Sequence, residues 1–205
     1  MSALEIADII GIICFALSGF LIAVHYKLDI LGVFISAFLT AFGGGMTRDV
    51  LADRTPYVFT SNLPLSLVIA TVLIAMLFKL HKITNLEGKW AFVISDAIGL
   101  SSFAITGAII AIESDFNFLS AVMLAFITAV GGGTIRDVLI NRMPFILVSE
   151  FYATVALIIG SVVYILDAFE LRNIFSLIIV FIFGVVLRVL AYYKKWHLPT
   201  LSKEN

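Results

Sequence analysis

Long apolar stretches separated by short polar connections dominate the chain. Seven of them approach the roughly 20 residues that a helix needs to cross a hydrocarbon core about 30 Å thick. They cover residues 4–24, 30–51, 63–80, 91–112, 118–140, 149–167 and 173–193. The pattern predicts seven transmembrane α-helices in a single domain over residues 1–193, followed by a polar cytoplasmic tail over 194–205.

One short element occurs twice in the chain. Residues 37–51 read AFLTAFGGGMTRDVL, and residues 125–139 read AFITAVGGGTIRDVL. A shift of 88 residues aligns positions 7–59 with 95–147 without a gap. Each unit holds three predicted spans, and because three is odd the second unit must enter the membrane upside down. We therefore predict an all-α integral membrane protein with two inverted three-helix repeats, at about 5–80 and 91–167, and a seventh helix at about 173–193.

Composition excludes several classes of protein. The chain is 61% hydrophobic and 13% charged, whereas a soluble domain is about 45–50% apolar and about 25% charged. With a net charge of −1, the chain lacks the excess of positive charge typical of proteins that bind nucleic acid. A single cysteine without a Cys/His cluster predicts no metal site and no resident cofactor. No nucleophile–base pair is recognisable, and the glycines lack the Gly-Lys-Ser/Thr continuation of a phosphate-binding loop, so we predict that the protein is not an enzyme.

The basic residues predict the orientation. With seven spans, ten lysines and arginines fall on one side of the membrane and three, Arg48, Arg54 and Arg172, on the other. Positively charged connections remain in the cytoplasm. The distribution predicts a multi-pass protein of the cell (inner) membrane with its N-terminus outside and its C-terminus in the cytoplasm.

The triple glycines are the first candidate site residues. They lie just past the middle of the second and fifth spans, which enter the membrane from opposite sides. Three successive glycines permit a kink or a short unwound turn in a helix. Freed carbonyls and nearby hydroxyls are able to replace the hydration shell of a cation. Close packing of helices is the alternative explanation. The candidate residues are Thr40, Gly43, Gly44, Gly45, Thr128, Gly131, Gly132 and Gly133.

Charged residues inside the spans are the second group of candidates. Depth allows one ion pair in each repeat, Asp8–Arg48 and Asp96–Arg136, and we expect the pairs to frame the two mouths of a pore. A purely structural pair, or an arginine that reaches the membrane interface, is the alternative. The acids that directly follow these arginines, Asp49 and Asp137, point about 100° away from them and serve either the cation or a helix cap.

A stripe of small and aromatic residues repeats in the first and fourth spans. It places Phe15 and Phe103 between pairs of glycines on one helix face. Either phenylalanine fits a hydrophobic constriction in a pore, and simple packing fits as well. Ser18 and Thr106 lie beside the second glycine of each stripe and offer hydroxyls to the same path.

The two GGG-x-x-R-D-V-L elements, the three-plus-three inverted repeat and the extra helix together resemble the trimeric intracellular cation (TRIC) channels, in their bacterial and archaeal branch. The resemblance covers about residues 5–193. It implies a homotrimer in the lipid bilayer with one potassium-permeable pore per protomer, so that potassium or sodium is the permeant ion rather than a cofactor.

Two further functions stay open at this point. The same bacterial family also has a glycine-transporter label, and inverted repeats with broken helices suit alternating access, so a secondary transporter for a small amino acid such as glycine is the alternative. A non-conducting membrane scaffold is the third possibility. The doubled Arg-Asp element makes a scaffold less attractive, because buried charges are costly in a membrane.

Overall fold

The computed structural model of the protein describes residues 2–82, 86–148 and 151–196. This part of the chain is helical throughout, with short loops, as the sequence predicted. Short 3-10 turns lie at Tyr57–Phe59 and Leu80–Lys82. The α-helices are α1 (Ala3–His25), α2 (Ile30–Leu51), α3 (Leu63–Leu77), α4 (Leu86–Glu113), α5 (Phe118–Leu139), α6 (Phe145–Val148), α7 (Tyr152–Ala168) and α8 (Ile174–Tyr193).

Five helices of the described chain have the length and apolar composition to cross a membrane, namely α1, α2, α4, α5 and α8. The helices α3 and α7 are apolar but shorter, with 15 and 17 residues. The start of the predicted sixth span, at residues 149 and 150, lies outside the described residues, as does the tail beyond residue 196. The protein is therefore an all-helical membrane protein, and the number of seven crossings stays a prediction.

Polar caps and tight reversals set the ends of the long helices. Asp29 accepts a hydrogen bond from the N–H of Gly32 at 2.7 Å where α2 begins, and Asn117 accepts one from Ser120 at 3.1 Å where α5 begins. The second residue beyond the end of α2, Asp53, adopts a positive φ, and the N–H of Arg54 bonds the carbonyl of Asp49, five positions back. The same end occurs after α1, α4, α5, α7 and α8. The following chain therefore turns back at once.

The first helices of the two repeats, α1 and α4, cross in antiparallel directions. Gly11 of α1 faces Phe103 of α4, and Phe15 of α1 faces Gly99 of α4, so residue numbers rise along one helix as they fall along the other. Each contact is made twice with the roles exchanged, because Gly99 and Phe103 are the repeat counterparts of Gly11 and Phe15. Such reciprocity is the property of a two-fold interface.

The middle helices, α2 and α5, meet in the same reciprocal way. Gly44 of α2 lies against the backbone of Thr128 on α5, and Gly132 of α5 lies against the backbone of Thr40 on α2. Since equivalent helices of the two repeats are antiparallel, the contacts support the predicted inverted repeat. The approximate two-fold axis passes between the two triple glycines.

Burial distinguishes the helices of the repeats from the extra helix. In α4, 89% of the membrane-length window is buried inside the protein, whereas in α8 the share is 28%. The helix α4 is thus the centre of the bundle, and α8 presents most of its apolar surface outward. The interior therefore consists chiefly of the contact between the two repeats.

Candidate functional site

The triple glycines do not unwind the helices that contain them. Both α2 and α5 are continuous from end to end, and none of the described glycines has a positive φ. The prediction of an unwound turn with freed carbonyls was wrong. A Cβ at Gly44 would collide with the carbonyl oxygen of Thr128, and a Cβ at Gly132 would collide with that of Thr40. The glycines therefore allow two backbones to touch, which is the packing alternative.

The neighbouring glycines complete this contact. Gly43 and Gly131 also face the opposite helix, where the nearest backbone atoms belong to Gly132 and Gly44 respectively. The third glycine of each triple, Gly45 or Gly133, faces side-chain atoms at ordinary van der Waals distance instead. At Gly45 the nearest atom to an added Cβ is the Nη2 of Arg48, at 3.9 Å.

The two candidate threonines use their hydroxyls within their own helices. The Thr40 hydroxyl donates to the Ser36 carbonyl at 2.6 Å, and the Thr128 hydroxyl donates to the Leu124 carbonyl at the same distance. Both side chains are fully buried. In this conformation their protons satisfy helix carbonyls, a common arrangement for threonine in membrane helices.

The predicted pair in the first repeat forms as a direct ion pair. The Nη1 of Arg48 donates to Asp8 Oδ1 at 2.9 Å, and its Nη2 lies 3.5 Å from Oδ2. The same Nη1 donates to the hydroxyl of Thr106, which belongs to the second repeat. Arg48 is only 2% exposed. The alternative in which this arginine reaches the membrane interface was wrong, and the group bridges the two repeats instead.

The counterpart cluster in the second repeat is looser. The Nη1 of Arg136 lies 3.9 Å from Asp96 Oδ1, beyond hydrogen-bond distance. The Ser18 hydroxyl lies between them. It accepts from Arg136 at 3.1 Å and donates to Asp96 at 3.0 Å. The second pair is therefore bridged by a hydroxyl of the first repeat, and Arg136 also lies over the Phe92 ring, 5.6 Å from its centroid.

The second acid of each motif turns toward its arginine and does not point away from it, so the expected separation was wrong. Arg48 Nε donates to Asp49 Oδ1 at 2.8 Å, and Arg136 Nε donates to Asp137 Oδ1 at the same distance. The other oxygen of Asp49 accepts from the Tyr57 N–H at 2.9 Å, where the 3-10 turn begins. The helix-cap alternative thus describes Asp49.

Asp137 has the equivalent role where α6 begins, with one addition. Its Oδ2 accepts from the Phe145 N–H at 3.0 Å. Arg142 Nε also lies 3.7 Å from its Oδ1. These hydrogen bonds hold the short helical segments that begin after Pro56 and Pro144 against the arginine clusters.

The two candidate phenylalanines contact each other at the crossing of α1 and α4. Their rings meet edge to face with centroids 5.2 Å apart, and both are buried. Each ring fills the space that the glycine of the other helix leaves free. Phe15 and Phe103 therefore close the interior between the clusters in this conformation.

Two cavities adjoin the clusters, one at each end. A cavity of about 20 Å³, the size of a single water, is lined by Asp8, Gly45, Arg48 and Asp49 among others. A wider crevice of about 580 Å³ reaches Arg136 from the other end. The cavities share no lining residue.

Two buried residues of the second cluster were not among the candidates. Tyr152 begins α7 and lies near Asp96 and Arg136, and Arg188 of α8 lies over its ring at 5.0 Å. Arg188 is 3% exposed, and its position inside the last apolar stretch was a signal that a charged group faces the bundle interior. Nothing in the sequence around Tyr152 distinguishes it from a tyrosine at the membrane interface.

Comparison with known proteins agrees with this doubled architecture. The model of a family described as Glycine transporter matches residues 5–80 and again 93–168. The UPF0126 membrane protein YvgT of Bacillus subtilis is 37% identical over 98% of this chain and 97% of its own length. The UPF0126 inner membrane protein YadS of Escherichia coli K12 is 41% identical over 77% of this chain and 75% of its own.

Solved structures agree as well. A structure from work on conductance through TRIC cation channels is 36% identical with a TM-score of 0.83, covering 98% of both chains. The TRIC trimeric intracellular cation channel orthologue from Rhodobacter sphaeroides is 28% identical with a TM-score of 0.87, covering 95% of this chain and all of its own. In sequence and in fold, the chain belongs to the TRIC family, as its doubled glycine and Arg-Asp motif predicted.

Proposed function

We propose that the protein is a monovalent cation channel, permeable to potassium, with one path per protomer between the two inverted repeats. The observation that carries the proposal is the pair of buried clusters, one near each end of the α2–α5 contact, in which an arginine of one repeat bonds a hydroxyl of the other. Solved relatives named as cation channels support the same function.

The charge of the first cluster favours cations. It holds two carboxylates, Asp8 and Asp49, for one arginine, Arg48. Acidic groups attract cations and repel anions, and a low-dielectric surrounding strengthens this preference. At the second cluster, Arg142 and Arg188 offset the two acids, so the preference for positive ions comes from the first cluster.

In this proposal the structure represents the closed form of the path. Backbone contacts at Gly44 and Gly132 and the Phe15–Phe103 pair separate the two cavities. Opening requires α2 and α5 to part where they touch, which would release the glycines from contact and join the cavities. A bend of these helices at the triple glycines is one way for them to part.

Assembly and orientation follow from relatives and from charge. We propose a homotrimer in the inner membrane, because relatives are named as trimeric channels and as inner membrane proteins. The chain would cross the lipid seven times. Lysines 27, 79, 82, 194 and 195 lie at one end of the bundle and Glu113, Asp115 and Glu170 at the other, so the lysine end would face the cytoplasm.

The glycine-transporter alternative has less support. It relied on broken helices, whose free ends bind the carboxylate of the substrate in transporters of this kind. The helices α2 and α5 are continuous instead. The description of the family model is the remaining argument for it.

Purified protein in a planar lipid bilayer tests the proposal. We expect discrete unitary potassium currents whose reversal potential follows the potassium gradient and not the chloride gradient. Saturable uptake of radiolabelled glycine into proteoliposomes without such currents would instead establish the transporter. Absence of both activities would leave the scaffold and refute conduction.

A further inference from the structure

The approximate two-fold symmetry predicts equal geometry at the two arginine clusters, and the observed geometries differ. The distance from the arginine Nη1 to the first acid is 2.9 Å for Arg48 and Asp8, and 3.9 Å for Arg136 and Asp96. The motif residues are identical at both ends, so the cause must lie among residues without an identical counterpart.

Ser18 and its counterpart Thr106 differ in what they donate to, but the larger difference between the two clusters is Tyr152. Its counterpart by the 88-residue shift is Pro64, which has no ring and no hydroxyl. At the first cluster, the space beside Gly45 and Arg48 holds the cavity of about 20 Å³. At the second cluster, the Tyr152 hydroxyl lies 3.6 Å from the position of a Cβ on Gly133, the counterpart of Gly45. The tyrosine thus occupies the space that is empty at the other end.

Its hydroxyl acts on the looser acid. Tyr152 is 3% exposed, and its hydroxyl lies beside the Asp96 carboxylate. The Ser18 hydroxyl donates to the same carboxylate at 3.0 Å. With the Ser18 hydroxyl as a donor and the Tyr152 hydroxyl beside it, Asp96 has polar neighbours without direct contact with Arg136. Asp8, in contrast, meets its arginine directly.

Helix α8 holds the ring of this tyrosine. The Arg188 guanidinium lies over the ring face, 5.0 Å from its centroid, which is a favourable cation–π distance. Because α8 lies outside both repeats, it has no counterpart at the first cluster among the described helices. The contact connects the extra helix to the acid–arginine pair.

We propose that Tyr152, held by Arg188 of α8, is a positioning residue that keeps the Asp96 carboxylate away from the Arg136 guanidinium, so that this pair opens during conduction while Asp8–Arg48 remains closed as a fixed contact. The inference rests on the proposed channel function. Its consequence is that loss of the hydroxyl lets Asp96 pair directly with Arg136 and closes this end of the path.

The substitution Tyr152→Phe tests the proposal in planar bilayers. We expect the open probability in potassium chloride to fall about tenfold, the effect of one hydrogen bond to a charged group. The unitary conductance should stay the same, because the phenyl ring keeps the shape of the site. Tyr164→Phe is the matched control. It lies on the same helix at the opposite end, against Phe118 at 5.4 Å, and should leave both quantities unchanged.

Variants of Arg188 separate positioning from simple packing. Arg188→Gln should lower the open probability as Tyr152→Phe does, and Arg188→Lys, which keeps a cation over the ring, should restore most of it. A role in packing alone would reduce thermal stability in all three variants without this order in open probability. An unchanged open probability in Tyr152→Phe would overturn the proposal.

A double-mutant cycle in thermal unfolding tests the contact without any current. Tyr152→Phe and Asp96→Asn should be non-additive in their effects on the unfolding midpoint, whereas Tyr152→Phe and Asp8→Asn should add. Additivity in both cycles would refute the positioning role. If the wild-type protein conducted no potassium, the proposed function would fail, and the cycle would still decide whether Tyr152 acts on Asp96.

Discussion

The contact between α2 and α5 yields the sharpest stability prediction, because two adjacent glycines have opposite surroundings. A Cβ at Gly44 would overlap the Thr128 carbonyl oxygen of the facing helix, whereas a Cβ at Gly45 would have its nearest neighbour, Arg48 Nη2, at 3.9 Å. The substitutions Gly44→Ala and Gly45→Ala add the same methyl group, one position apart. Their difference therefore isolates the helix–helix contact.

The expected magnitudes have opposite signs. Alanine favours a helix over glycine by about 0.8–1 kcal/mol, and Gly45→Ala should show this gain in the free energy of unfolding. Overpacking costs about 1–3 kcal/mol, and a facing backbone yields less easily than a side chain. Gly44→Ala should therefore lose up to about 2 kcal/mol net. The same loss is expected at Gly132, which faces the Thr40 carbonyl.

Thermal unfolding in detergent measures these changes. The chain has one cysteine, Cys14, which is partly buried in α1, so a thiol-reactive dye reports its exposure as the bundle opens. For a protein of this size, about 1 kcal/mol shifts the midpoint by about 2–4 °C. A Gly44→Ala protein as stable as Gly45→Ala would show that the backbones do not touch and would refute the packing role of the triple glycine.

Other contacts give further predictions for the same unfolding assay. Reversing the first pair, with Asp8→Arg and Arg48→Asp together, should be less destabilising than either single change, since each single change leaves a buried unpaired charge at a cost of about 3–5 kcal/mol; a double variant no better than the singles would refute the pair. Phe103→Ala should lose about 3–5 kcal/mol, because the ring fills the space beside Gly11, and a smaller loss would mean that the site collapses. Arg54→Gln removes a half-exposed ion pair with Glu113 at 3.3 Å and should change the free energy of unfolding by less than about 1 kcal/mol. A larger loss would mean that this pair holds the two repeats together.

The apolar runs of the sequence were sufficient to place α2 and α5, because the boundaries of these helices carry local signals. The spans predicted at 30–51 and 118–140 end within a residue of α2 and α5. Asp29 and Asn117 cap the starts of these helices, and both caps stand just before an apolar run. The start of α4 was predicted five residues late, because the sequence LEGK lowers the local hydropathy while the helix continues through it.

The candidate site was predictable as a set of residues and less so as a geometry. The Asp8–Arg48 pair was predictable from depth alone, because opposite charges at the same depth of a membrane bundle pair with each other. The course of the helices through the triple glycines did not follow, since the sequence permits both an unwound turn and a close contact. Tertiary contact decided between them. Only the facing carbonyl of Thr128 shows why Gly44 has no side chain.

The roles of Ser18 and Thr106 required the other repeat. Each was predicted to offer a hydroxyl to the path, but a sequence does not say that the hydroxyl meets an arginine more than 50 positions away. The difference between the two clusters at Tyr152 was not predictable from the sequence. It depends on what replaces Pro64 in the second repeat and on a helix that belongs to neither repeat.

The placement of each acid and its arginine within one repeat bears on how the protein enters the bilayer. Asp8 and Arg48 belong to α1 and α2, which leave the ribosome one after the other and are joined by a loop of four residues, 26–29. An unpaired arginine or aspartate costs about 2.5–3.5 kcal/mol at the centre of a helix during insertion. A hairpin that neutralises both charges internally avoids most of this cost. The first half is thereby able to settle in lipid before the second has been synthesised, and the docking of the halves then joins hydroxyls, bare backbone and the Phe15 and Phe103 rings rather than unpaired charges.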